Sequence, residues 1–362
     1  MDSGVTMNDQ ERRLFEDFTF ISADSYLDLF PEAGASYTFR AFDIPYYVMH
    51  SCICAGEIGQ IIMPPARNGR SYILTESFNH RHDDTMVAAI LSSALMHAGS
   101  SSGSIKVLDE AVPLYPMWSL GNFWHWIFES VPKICLLESS GYTGQYIVNA
   151  STPVVVEGMK LLGIAPERIV HCADPHLVKR AVIPSIVPHS ALAKYKRLLW
   201  TVRERLLEVA GMAEGEKHCF IRRIGARKLL NEEELLDTLR AYDIQVLVPE
   251  EHSIREQIHF MSNVKLTLSP HGANTTLALF QKHKSILMEF FGADYVNNTC
   301  NISTIQTLKL LYIPVTEVIL REDRQHFRAR LEAPQGEPFD YTIDVTLVAA
   351  ILENLRSVSY HI

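Results

Sequence analysis

The chain has 362 residues, 47% hydrophobic and 21% charged, with a formal net charge of −9. That length and balance suit a globular protein of about two domains with a sizeable core. The acidic balance argues against a general nucleic-acid or anionic-membrane binder, although a local basic cluster, IRRIGARK at residues 221–228, stands out.

The polar N-terminal stretch has no apolar h-region, so no signal peptide is expected, and no run of about 18 apolar residues marks a membrane span. The six cysteines, Cys52, Cys54, Cys135, Cys172, Cys219 and Cys300, form no C-x-x-C and read as free thiols in a reducing compartment. Sequons beginning at Asn149, Asn274, Asn297 and Asn301 carry no weight without a secretory signal.

Short β-like runs come first: YYVMHSCICA, GQIIMPP and SYILTES, set apart by Gly, Pro and Asn. DDTMVAAILSSALMHAG, from Asp83, reads as a helix, and GSSSGS at residues 99–104 as a loop. SIKVLDEAVPL contains a buried strand, and GNFWHWIFESVPKICLLESS is a helix that Pro132 should kink or interrupt. TPVVVEG and RIVHC look like strands around a helical MKLLGIAP, and RAVIPS is a further strand. ALAKYKRLLWTVRERLLEVAG is a long amphipathic helix ending at Gly211.

From about residue 216 the alternation is regular. The strands are KHCFIRR, IQVLVPE, VKLTLS, SILMEFF and YIPVTEVI. The intervening helices are NEEELLDTLRAYD, SIREQIHFMSN, GANTTLALFQKH and STIQTLKLL. Asn231 is the expected N-cap of the first, with Glu234 in a capping-box position; Ser253 and Glu256 form an S-x-x-E box at the second. This is the grammar of a parallel sheet covered on both faces, so the fold class is α/β, in two halves meeting near residues 211–217. The C-terminal helix, near residues 343–357, is expected to pack back across the first half.

LTLSPHGANTTLALF, at residues 266–280, is a strand, a tight turn and a helix start. Ligands of open α/β sheets sit beyond the carboxyl ends of the strands, where helix N-termini offer N–H groups and a positive dipole end. Gly272 would admit a phosphate, with His271, Asn274 and Thr275 as added donors; the plainer reading is a turn with an N-cap Asn. Glu289 ends the next strand among Met288, Phe290 and Phe291, and needs a partner such as a ribose diol unless it faces solvent. Arg222 and Arg223 follow a strand at its carboxyl end, with Arg227 close behind; their forks suit diphosphate oxygens, and surface solvation is the alternative.

His125 and Glu129 are four apart and share a helix face, with Trp126 and Ile127 able to pack inward. Such a pair can abstract a proton from a sugar hydroxyl, or can be an ordinary surface pair. HRHDD, at residues 80–84, has ligand-like spacing in His80, His82 and Asp83, but equally suits a helix start with acidic residues at the dipole end. The chain contains no D-x-D, Walker-type loop or G-x-G-x-x-G.

NFWHWIFESVPKICLLE, IRRIGARKLLNEEEL, VPEEHSIREQIHFMSNVKLTLSPHGANTTLALF and ILMEFF occur in that order, and together they resemble glycosyltransferase family 61 over roughly residues 105–320. The resemblance implies a GT-B-like fold, two Rossmann-type domains facing a central cleft. It divides the chain into a β-rich part of the first domain (1–104), a first α/β domain on the acceptor side (105–215), a second on the nucleotide-sugar side (216–325) and a C-terminal segment (326–362). It implies inverting, metal-independent transfer of a hexosyl or pentosyl group from a nucleotide sugar, without a cofactor, to a glycan or lipid-linked glycan.

Carried over residue by residue, the resemblance places Arg222, Arg223, Arg227, Ser269, His271, Gly272, Ala273, Asn274 and Thr275 at the donor and gives Glu289 the ribose. Asn122 and Trp126 fall on the acceptor side, and His125 or Glu129 is the base. No nucleic-acid partner is expected; a cytoplasmic enzyme, peripheral at the inner membrane surface, fits best. Competing readings are a non-catalytic nucleotide-sugar or glycan-binding protein of the same fold and a metal-dependent hydrolase built on His80, His82 and Asp83.

Overall fold

The computed structural model describes residues 18–55, 60–63, 71–74, 105–114, 122–172, 175–185, 196–293, 296, 301–317 and 340–358. The HRHDD motif and the helix expected from Asp83 lie outside them. Two compact units divide between Leu198 and Leu199, inside the helix Lys196–Ala210.

Among the described residues, the first unit holds one nine-stranded sheet: β1 (Phe18–Ile21), β2 (Gly34–Phe39), β3 (Ile44–Ala55), β4 (Gln60–Met63), β5 (Ser71–Leu74), β6 (Lys106–Pro113), β7 (Gln145–Val148), β8 (Ile169–His171) and β9 (His176–Pro184). The order is β1-β5-β4-β3-β9-β6-β7-β8, with β2 also on β3. The sheet is mixed. β3 runs antiparallel to β2, β4 and β9, whereas β9, β6, β7 and β8 are mutually parallel. Cys52 and Cys54 are two apart on β3 and both buried, because alternate residues share a face. All five described cysteines are free and buried, as inert structural thiols are.

Two expectations fail in this unit. VVVEG is not a strand but part of the helix Pro153–Leu161. Pro153 pre-sets the first helical turn, and Gly158 presses so closely on the Trp126 indole that no side chain fits between them. Pro132 does not interrupt its helix. The stretch runs from Phe123–His125 through a π-helical Trp126–Ser130 into Val131–Ser139. The wider π turn lies just before the proline, where an α turn would bring a carbonyl against its ring.

The second unit is a five-stranded sheet of β10 (Lys217–Ile221), β11 (Ile244–Leu247), β12 (Val264–Pro270), β13 (Ile286–Phe291) and β14 (Leu311–Thr316). The order is β11-β10-β12-β13-β14, and every pairing is parallel. This is the expected βα alternation, wound outward in both directions from β10 and β12. The helix Ile254–Met261 carries the capping box of Ser253 and Glu256.

The segment Ala273–Phe280 is a 3-10 helix rather than an α-helix. Asn231 precedes the helix Glu232–Arg240, but its side chain makes no capping bond. Its Nδ2 donates to the Ile343 carbonyl at 2.9 Å and its Oδ1 accepts from the Ile343 N–H at 3.2 Å. The C-terminal helix Val345–Ser357 packs on this second sheet. Val345, Val348, Leu352 and Leu355 share a core with Leu235, Leu239 and Phe220, and the Tyr242 hydroxyl donates to Glu353 at 3.0 Å.

Candidate functional site

The strand order of the second sheet reverses between β10 and β12, and their carboxyl ends flank the switch point where ligands of such sheets bind. β10 ends at Ile221, leading into Arg222 and Arg223; β12 ends at Pro270, leading into His271 and Gly272. The topology thus brings two sequence-distant motifs to one edge. Arg223 donates from Nη1 to the His271 carbonyl at 3.4 Å and from Nε to the Ala226 carbonyl at 2.6 Å. Its guanidinium lies against Gly272, where a β-carbon would displace it. Gly272 itself is extended, so close approach, not backbone conformation, requires the glycine.

The predicted donor residues behave differently from one another. The Ser269 and Thr275 hydroxyls are buried 3.0 Å apart and bond to the Pro270 carbonyl, so they brace the turn rather than face a ligand. Asn274 Nδ2 donates to Glu250 at 3.1 Å. Ala273 and Asn274 open the 3-10 helix, whose first N–H groups find no acceptor within it. Arg222 is occupied: its Nη2 lies 2.7 Å from Glu232 and 3.7 Å from Glu233.

Glu289 departs from both sequence readings, since it neither faces solvent nor lies open to a ribose. It is fully buried within β13, between Ser269 of β12 and Pro314 of β14. Three side chains meet its carboxylate. His271 Nδ1 is 2.7 Å from Oε1, Asn301 Nδ2 is 2.8 Å from Oε1, and the Tyr312 hydroxyl is 2.8 Å from Oε2. These donors are what make burying the carboxylate tolerable. The His271 ring stacks on Phe291, centroids 4.9 Å apart.

A further contributor comes from the C-terminal segment. Tyr341 exchanges backbone bonds with the arginine loop, N–H to the Lys228 carbonyl at 3.0 Å and carbonyl to the Leu230 N–H at 2.8 Å. Its hydroxyl donates at 2.8 Å to the Phe290 carbonyl, which also accepts the His271 N–H at 2.8 Å. Burial pushes the Tyr341 phenol above its ordinary range, with Arg223 and Arg227 opposing the rise, so both guanidinium groups act on it. Arg227 occupies the left-handed region at φ 62°.

In the first unit, Asn122 caps the helix beginning at Phe123, its Oδ1 accepting from Trp124 N–H at 3.0 Å and His125 N–H at 3.4 Å. Asn122 is therefore an N-cap by geometry. Trp126 is 1% exposed against Gly158, a core residue and not an acceptor surface. His125 Nδ1 and Glu129 Oε2 stand 2.9 Å apart, both residues buried, across the π turn. Lys133 continues the series one turn on and is also buried. Burial lowers its ammonium to about 8, and Glu129 partly counters the fall. The four-residue spacing of WHWIFESVPK already contained this lysine.

Among the described residues, no group of three or more His, Cys, Asp or Glu is arranged to hold a metal ion. No curated protein matches the chain. Residues 123–288, spanning the His125–Glu129 helix and the His271 turn, match the family model described as Glycosyltransferase 61. That match supports a likeness to glycosyltransferase family 61 over this region, and with it a glycosyltransferase.

Proposed function

We propose that this protein is a glycosyltransferase that moves a hexosyl or pentosyl group, with inversion and without a metal, from a nucleotide sugar to a glycan hydroxyl in polysaccharide or glycoconjugate synthesis. The observation that carries the donor side is the meeting of Arg223 with the His271–Gly272 turn at the switch point of the parallel sheet. Arg223, Arg227, Gly272 and the opening N–H groups of the 3-10 helix receive the diphosphate; Ser269, Thr275 and Glu289 hold that surface from behind. The lack of a D-x-D in the sequence supports metal independence.

His125 or Glu129 takes the proton of the acceptor hydroxyl as its oxygen bonds to the anomeric carbon. Their close pairing on a π turn, a frequent feature of functional sites, supports that choice. The acceptor is a glycan, free or lipid-linked, met at the cytoplasmic surface of a membrane. Transfer assayed with and without EDTA tests the reading. Activity should survive the chelator and fall about 100-fold or more in His125→Ala or Glu129→Ala. Full activity in both variants removes the base assignment, and abolition by EDTA removes metal independence.

A further inference from the structure

We propose that His271 is a catalytic residue that delivers a proton from Nε2 to the departing diphosphate, and that Glu289, Asn301 and Tyr312 are positioning residues that set its ring for that task. The proposal rests on the donor-side reading above. Its starting point is the carboxylate of Glu289, which is fully buried and surrounded by donors. A carboxylate only accepts, so the 2.7 Å contact requires Nδ1 of His271 to carry a hydrogen. Asn301 and Tyr312 occupy the other approaches to the carboxylate, which fixes its plane and thereby the ring orientation. Phe291 stacks on the ring and Phe290 holds the His271 N–H, so the side chain is supported on several sides.

The second ring nitrogen completes the logic. His271 stands at the switch point, in the turn next to Gly272 and with Arg223 on its carbonyl. A diphosphate bound at this turn would be the anionic acceptor for Nε2, as Glu289 is for Nδ1. A ring that donates to two such acceptors carries a hydrogen on each nitrogen. In the transfer step the anomeric C–O bond breaks and its electron pair stays on the phosphate oxygen. The Nε2 proton goes to that oxygen, and the acceptor hydroxyl loses its proton to the base as its oxygen bonds to the anomeric carbon. His271 regains a proton from water after the product leaves. Asn301 and Tyr312 follow residue 288, where the family match ends.

The test uses the full chain with 15N-labelled histidine and inorganic pyrophosphate as the probe. In the free protein the His271 signal, assigned with His271→Gln, should show a hydrogen on Nδ1. Saturating pyrophosphate should add one on Nε2. Calorimetry should find pyrophosphate binding weakened about tenfold in His271→Gln and about threefold in Tyr312→Phe, which keeps the ring and the fold if Glu289→Gln does not. A ring protonated on Nε2 alone in the free protein overturns the relay while leaving the donor site standing. An Nδ1 hydrogen without any pyrophosphate response overturns the donor-side reading, and the proton delivery with it. Equal binding by wild type and both variants overturns the catalytic assignment.

Discussion

Lys133 shows what burial does to a single charge in this protein. Its ordinary value is 10.5, and the folded environment lowers it to about 8. Between those values the unfolded chain binds more protons than the folded one, so stability rises with pH across that window. Below about pH 8 the folded state carries a buried ammonium, at a cost on the order of 3 kcal/mol. Lys133→Met should therefore be more stable than wild type at pH 7, and the difference should shrink as pH approaches 10. Thermal melts of both proteins across that range check it; a constant gap contradicts it. The sequence made part of this chemistry readable. The spacing of His125, Glu129 and Lys133 shows directly that they share a helix face. The burial of Glu289 was not readable, because its donors Asn301 and Tyr312 arrive through the register of β13 and β14 and the start of the helix Ile302–Leu308.

At the scale of elements, the arginine loop is held by the C-terminal segment. Lys228, Leu230 and Asn231 bond to Asp340, Tyr341 and Ile343, and the Tyr341 hydroxyl anchors the arrangement to Phe290 in β13. Tyr341→Phe removes that anchor without touching the backbone bonds. It should cost about 1 kcal/mol, since Phe290 keeps its bond from His271, and should speed amide exchange at Lys228 and Leu230. Unchanged exchange at both amides would show that the hydroxyl does not hold the loop. Local pattern could not reveal this strap. Residues 340–343 carry no periodic signal, and their partners lie more than a hundred residues earlier. The Val-rich run before Gly158 failed for a related reason: its β-like composition was overridden by Pro153 and by packing against Trp126. The capping box of Ser253 and Glu256 was readable because every partner is local.

At the scale of the molecule, the second unit was the more legible. Five short apolar strands alternating with helices leave few alternatives to a parallel sheet, and parallel pairing of all five follows. The first unit is less regular, with antiparallel and parallel strands in one sheet, a mixture that alternating periodicity does not encode. The central claim is that the switch point of the second sheet receives a nucleoside diphosphate. Thermal melting of the wild type and Arg223→Ala against a panel of nucleoside diphosphates and nucleotide sugars tests it most directly. At least one compound should stabilise the wild type by about 2.7 kcal/mol at 100 times its Kd. Arg223→Ala should lose most of that shift. No stabilisation by any compound, or equal stabilisation of the variant, would contradict the account.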